Sequence, residues 1–141
     1  MKVAVVCSNG RVGKLVVAEA QAAGMDVAGF ARGENKSGAK IFIQKDIFDI
    51  TKEDLSGFDA DLPNHPKSLA HLCDVLSGTK VRLVIVGGAG SLFVNKEHTL
   101  RVMDGADFPD MFKPLASAQG TALENLRKRN DIDWTFISPA G

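Results

Sequence analysis

Apolar runs of strand length alternate with stretches of helical periodicity along this chain. Residues 3–6 (VAVV) are apolar and stop at Cys7-Ser8-Asn9-Gly10. From there Val12, Leu15, Val16, Ala20 and Ala23 recur at helical spacing, and Gly24 supplies a stop. Residues 25–31 (MDVAGFA) read as a second, buried strand, and 41–43 (IFI) open a third that closes at Lys45-Asp46. Thr51 with Asp54 three residues on caps a short helix. Leu69, Leu72, Cys73 and Leu76 share one face of a helix over 68–77, and 81–86 (VRLVIV) form the clearest strand. A long polar loop then runs to Pro114, followed by a helix over 117–129 and a last strand over 132–137. Strands alternating with helices predict an α/β fold: a three-layer, doubly wound parallel sheet with right-handed crossovers.

Two connections are short for that architecture. With strand order 3-2-1-4-5-6, the fourth strand lies between the first and the fifth, yet Phe58-Asp59-Ala60 gives way at once to Asp61-Leu62-Pro63-Asn64-His65-Pro66. The stretch 33–40 is about eight residues long, where a crossover needs about ten or more. The expectation is that segments are missing near Ala60–Asp61 and within Gly33–Lys40, and that a further portion follows Gly141. Both joins lie at strand ends that face a bound nucleotide, which predicts mobile cofactor loops and no ordered cofactor.

Composition narrows the classes. A chain of 141 residues, 45% apolar and 24% charged, makes one domain over 1–141. Lys plus Arg equals Asp plus Glu, 17 against 17, so no global field recruits nucleic acid or an acidic membrane. No signal peptide or membrane span is apparent, and two cysteines make neither a disulfide framework nor a metal site. A cytoplasmic monomer or homodimer acting on a small-molecule substrate is the expectation.

The chemistry begins at the turn C-S-N-G-R-V-G. A glycine-bearing turn that follows a strand and opens a helix offers unpaired N–H groups and a partial positive charge to a phosphate. Gly10 and Gly13 remove β-carbons that would hold a diphosphate off the backbone and the helix off the strand. Cys7 stands where such a motif has its first glycine; either a small residue suffices there, or the helix terminus acidifies the thiol. Arg32 ends the second strand, where an acid would hold the ribose hydroxyls of NAD and an arginine the 2′-phosphate of NADP. NADP is favoured, with NAD possible; the alternative is an exposed loop arginine. Asp46 either accepts from the adenine amino group or simply forms a turn. Residues 87–91 (GGAGS) admit a ligand at a strand end or serve as a flexible connection. Lys113 and Ser91 are the candidate proton donors. His65, His71 and His98 lack zinc spacing and read as surface residues, and 124–130 (ENLRKRN) as the solvated end of a helix.

The segments VVCSNGRVGKL, QKDIFDIT, VRLVIVGGAGSL, DFPDMFKP and DWTFISPAG thread nearly the whole chain, and together they resemble the NAD(P)H-binding, NmrA-like branch of the atypical short-chain dehydrogenases/reductases. The resemblance implies that Ser8, Asn9, Arg11 and Val12 line the pyrophosphate, with Arg32 at the adenosine phosphate. It places Asp46 and Ile47 beside the adenine, Gly87, Gly88 and Ala89 beside the nicotinamide ribose, and Ser138 and Pro139 near the nicotinamide. Relatives usually carry glycine at the Cys7 position and continue some sixty or more residues past the last strand.

The chain contains no tyrosine, and Phe112 stands where relatives commonly have one. The Tyr-x-x-x-Lys proton transfer of typical short-chain dehydrogenases is thereby unavailable unless a tyrosine lies in a segment outside this sequence. Hydride transfer to an easily reduced acceptor such as a quinone or flavin needs little acid catalysis. The expected activity is therefore an NADPH-dependent oxidoreductase with such an acceptor; the alternative is a non-catalytic NADP-binding redox sensor.

Overall fold

The computed structural model describes residues 1–56, 59–63 and 66–139. Six parallel strands form a single sheet: β1 (Lys2–Val6), β2 (Asp26–Ala31), β3 (Ile41–Gln44), β4 (Asp59–Pro63), β5 (Arg82–Val86) and β6 (Asp133–Ile137). Their order is β3-β2-β1-β4-β5-β6, the doubly wound arrangement that the alternating pattern implies. Four helices connect them: α1 (Arg11–Ala22), α2 (Lys52–Leu55), α3 (Pro66–Leu76) and α4 (Lys113–Arg127).

Alternation along the strands divides the core in two. Val3, Val5 and Val27 face one side with Val17 and Ala20 of α1. Ala4, Val6, Ala28, Phe30, Leu83 and Ile85 face the other, against Leu69, Leu72 and Leu76 of α3 and Ala122 and Leu126 of α4. Side chains two apart on a strand share a face, so a parallel sheet covered on both sides must be apolar at every position. The buried stripe of α1 passes through Gly13, Val17 and Ala20, whereas Val12 and Leu15, apolar in the expected pattern, are exposed.

β4 spans the join expected at Ala60–Asp61. One strand runs through both residues, with Val3–Val5 of β1 matched to Asp59–Asp61 and Leu83–Val86 of β5 to Ala60–Pro63. Pro63 can occupy the end of a central strand because its β1 neighbour has already stopped, so its missing N–H breaks no ladder bond on that side. Phe58, Asn64 and His65 lie outside the described residues.

The β2–β3 connection runs without a helix. Nine residues can span about 30 Å when extended, more than enough to return along a four-residue strand. Gly29 makes this possible, since a β-carbon there would lie 2.8 Å from Ser8 Oγ and 2.9 Å from the Ala39 methyl. The loop lies directly on the sheet in that space, burying Ser37 and Ala39.

The capping box is formed as expected, with the Asp54 N–H donating to Thr51 Oγ1 at 3.4 Å and the Thr51 N–H to Asp54 Oδ2 at 2.8 Å. α4 starts earlier than 117, at Lys113, with Pro114 in its first turn where a missing N–H costs nothing. The polar loop before it contains short 3-10 turns at Ala89–Ser91, Val102–Asp104 and Asp110–Phe112. No helix among the described residues is long and apolar enough to cross a membrane.

At the N-terminal edge of the sheet, Arg129 ties α3 to the start of β6. It bonds Asp74 and Asp131 at 2.7 Å each and donates to the Cys73 carbonyl at 3.3 Å, while Ser77 Oγ donates to Asp131 at 2.6 Å. The Arg129 guanidinium, then the Ser77 hydroxyl, hold the Asp131 carboxyl far below the usual range. A carboxyl depressed by folding stabilises above its unfolded pKa of about 3.9 and loses that contribution as the pH falls through the folded value. Asp131→Asn should therefore lower the melting temperature at pH 7, and the difference from wild type should shrink below about pH 4. Thermal denaturation between pH 7 and pH 3 measures both.

Candidate functional site

A cleft of about 1030 Å³ opens at the C-terminal edge of the sheet where β1, β2, β3, α1 and α3 meet. Its size is at the upper end for small-molecule sites. The floor is the turn after β1. Cys7 takes up a left-handed conformation, φ 57°, and its carbonyl accepts from the Gly10 N–H at 2.9 Å. Gly10 then caps α1, and the helix packs so closely that a β-carbon at Gly13 would lie 2.6 Å from the Cys7 oxygen and 2.8 Å from Ser8 Cα. Both obstacles are backbone, so no side-chain shift relieves them. The first turn of α1 carries no acidic residue and no side-chain cap. Its leading N–H groups are thus left for solvent or an anion.

Charge in the cleft is one-sided although the chain as a whole is neutral. Among the described residues, Arg11, Arg32, Lys45 and Lys67 line it, against the single carboxylate Asp46. Lys45 is paired with Asp54 at 2.5 Å. Arg32 is 83% exposed, and its Nε lies 3.7 Å from Asp46 Oδ2, a contact of little strength in water. Asp46 forms a turn: its Oδ1 accepts from the Phe48 N–H at 3.0 Å, starting the turn Ile47–Asp49.

Asn9, Gly10, Arg11, Val12, Arg32, Asp46 and Ile47 all line this cleft. Ser8 does not: its side chain is fully buried and its hydroxyl donates to the Phe30 carbonyl at 3.4 Å, joining β1 to β2. The Asn9 carboxamide is likewise occupied, bridging to the backbone of Glu34 and Lys36 at 2.8 Å each. Cys7 lines the cleft, but burial pushes its thiol up in pKa against the opposing pull of Arg32, which corrects the acidified-thiol reading. Burial likewise pushes Cys73 up, to about 11.

The second half of the expected site is elsewhere. Gly87, Gly88, Ala89, Ser138 and Pro139 are not part of the cleft lining. Their glycines answer to packing: β-carbons at Gly87, Gly88 and Gly90 would strike the Phe136 ring at 2.2 Å, Gln119 Oε1 at 2.7 Å and the Ala116 methyl at 2.8 Å. Neither candidate proton donor lines the cleft. Ser91 is buried, and its hydroxyl has no partner among the described residues; Lys113 is paired with Asp110 at 2.7 Å. His71 is a half-buried brace, its Nε2 lying 3.1 Å from the Ile50 carbonyl, and His98 packs on Phe93 at 5.2 Å.

Pro66, Lys67 and Ser68 also line the cleft and escaped sequence reasoning. The signal was Pro66 opening a helix, obscured because β4 before it read as broken.

No family model matches the chain. YwnB of Bacillus subtilis (strain 168), an uncharacterized protein, is 36% identical over 153 aligned positions, covering 99% of this chain and 72% of YwnB. A Streptococcus pneumoniae TIGR4 protein provisionally named an NADH-flavin reductase is 44% identical in its crystal structure, with TM-score 0.95 over 99% of this chain and 71% of that one. The chain belongs to the atypical short-chain dehydrogenase/reductase family. A member of the wider superfamily from Agrobacterium tumefaciens, solved with bound NAD, shares the fold at 18% identity and TM-score 0.70, over 98% of this chain and 48% of its own. The YwnB alignment is longer than the 141-residue chain, so YwnB carries residues with no counterpart here.

Two measurements test this geometry. Gly13→Ala should destabilise by about 1–3 kcal/mol despite alanine's better helix propensity, because the added carbon meets backbone; urea denaturation reads it. In a Cys73→Ser background, Cys7 should alkylate slowly with iodoacetamide at pH 7.5. The rate should still be rising above pH 9, where an acidified thiol would have levelled off.

Proposed function

We propose that this protein is an NADPH-dependent oxidoreductase that passes hydride to a readily reduced small acceptor such as a flavin or quinone. The observation that carries this reading is the cleft's charge: among the described residues, four cations and an uncapped helix terminus against one carboxylate, in a neutral chain. A nicotinamide dinucleotide fits that donor set, and when bound it supplies the hydride. The N–H groups opening α1 would hold its diphosphate, with Arg11 beside them. Arg32, exposed at the rim and only loosely engaged by Asp46, would hold the 2′-phosphate as a bidentate partner.

The name of the Streptococcus pneumoniae relative supports a flavin acceptor, and its NADH is the point on which Arg32 argues for NADPH instead. Among the described residues that line the cleft none is a tyrosine or histidine. An acceptor reduced without a protein acid suits that lining better than a carbonyl or an alcohol does. The same observation favours the second reading, a redox sensor that binds NADP and turns nothing over. The motif run through DFPDMFKP and DWTFISPAG supports the finer assignment to the NmrA-like branch.

Separate titrations of NADPH and NADH, repeated on Arg32→Ala, test the cofactor. NADPH should bind about tenfold or more tightly than NADH, and the variant should bring it to the NADH level. Equal binding by the wild type would defeat the assignment of Arg32. Oxidation of NADPH in the presence of FMN or a soluble quinone separates enzyme from sensor.

A further inference from the structure

We infer that Asn9 is a positioning residue for the 2′-phosphate, acting through the loop that carries Arg32 rather than on the ligand. This rests on the reading of Arg32 given above. Both ends of the Asn9 carboxamide are committed: Nδ2 donates to the Glu34 carbonyl and Oδ1 accepts from the Lys36 N–H, each at 2.8 Å. A single side chain of the diphosphate turn thus fixes the path of the β2–β3 loop just beyond Arg32.

The rest of that loop is anchored at other points. Gln44 Nε2 donates to the Arg32 carbonyl at 3.0 Å. Gln21 of α1 holds the far end, donating to the Gly38 carbonyl at 3.2 Å and accepting from the Lys40 N–H at 3.1 Å. The backbone around Arg32 is therefore set in place while its guanidinium stays exposed. A bidentate grip on a phosphate demands a guanidinium held within about 0.5 Å, and supporting hydrogen bonds supply that precision. Without Asn9 the stretch 33–36 keeps no tie to the turn, and ordering it falls on the ligand at the moment of binding. Only a ligand that uses Arg32 bears that cost. NADH does not.

The test is calorimetric titration of NADPH and NADH into wild type, Asn9→Ala and Asn9→Ser, the last keeping a small polar group that cannot span both backbone partners. Melting curves establish that each variant is folded, and the serine variant answers should the alanine variant unfold. NADPH affinity should fall about tenfold in either variant while NADH affinity stays within about twofold. Trypsin cleavage after Lys36 should quicken in the absence of ligand. An equal fall for both dinucleotides, or an unchanged rate of cleavage, would overturn the inference and leave Arg32 its role. A wild type that binds the two equally would overturn both.

Discussion

Between the carbonyl oxygen of Cys7 and Cα of Gly13 there is no room for a carbon atom, and the cleft depends on that closeness. A β-carbon at Gly13 would meet the Cys7 oxygen at 2.6 Å and the Ser8 oxygen at 2.9 Å. Any larger residue would push α1 away from the end of β1 and move its leading N–H groups off the cleft floor. The left-handed backbone at Cys7 belongs to the same arrangement, because it turns that carbonyl back under the helix to meet the Gly10 N–H. A conformation that glycine adopts freely is here imposed on a cysteine by its surroundings.

From that fixed point the electrostatics follow. A helix terminus with no acidic residue and no side-chain cap carries a partial positive charge. Arg11, Arg32 and Lys67 add full charges around the same opening, inside walls that include Val6, Phe30, Ile47 and Phe48. Low-dielectric walls focus the field of those charges into the cleft, so a chain with no net charge still presents a positive opening.

The two edges of the sheet are built by different rules. The N-terminal edge is held by a closed ionic network around Arg129, in which Asp74 and Asp131 leave no cation of that group unpaired. At the C-terminal edge Lys45 is paired with Asp54 and Arg32 is only loosely engaged by Asp46, and order comes from side chains bonding to backbone: Asn9 and Gln21 to the β2–β3 loop, Asp46 to the turn after β3. Backbone partners fix the path of a loop without consuming its charged side chains, which stay available to a ligand.

The periodicity of the chain was enough to establish the alternating strands and helices, the apolar face of α3 and the Thr51–Asp54 cap, because each depends on neighbours within a few residues. The turn at Gly10 and Gly13 was legible for the same reason. What lay beyond reach was decided by contacts between distant segments. β4 is a strand because β1 and β5 hold it on either side, although its own residues promise little. Ser8 and Asn9, adjacent in the turn, part company: one bonds Phe30 beneath the sheet edge and the other crosses to Glu34 and Lys36. Residues 87–91 read as room for a ligand or as a flexible connection, and the space beside glycines 87, 88 and 90 is taken by Phe136, Gln119 and Ala116. Sequence displays which residues lack a side chain or carry a polar one; which neighbour fills the space or takes the hydrogen bond is settled when chain segments tens of residues apart are packed together.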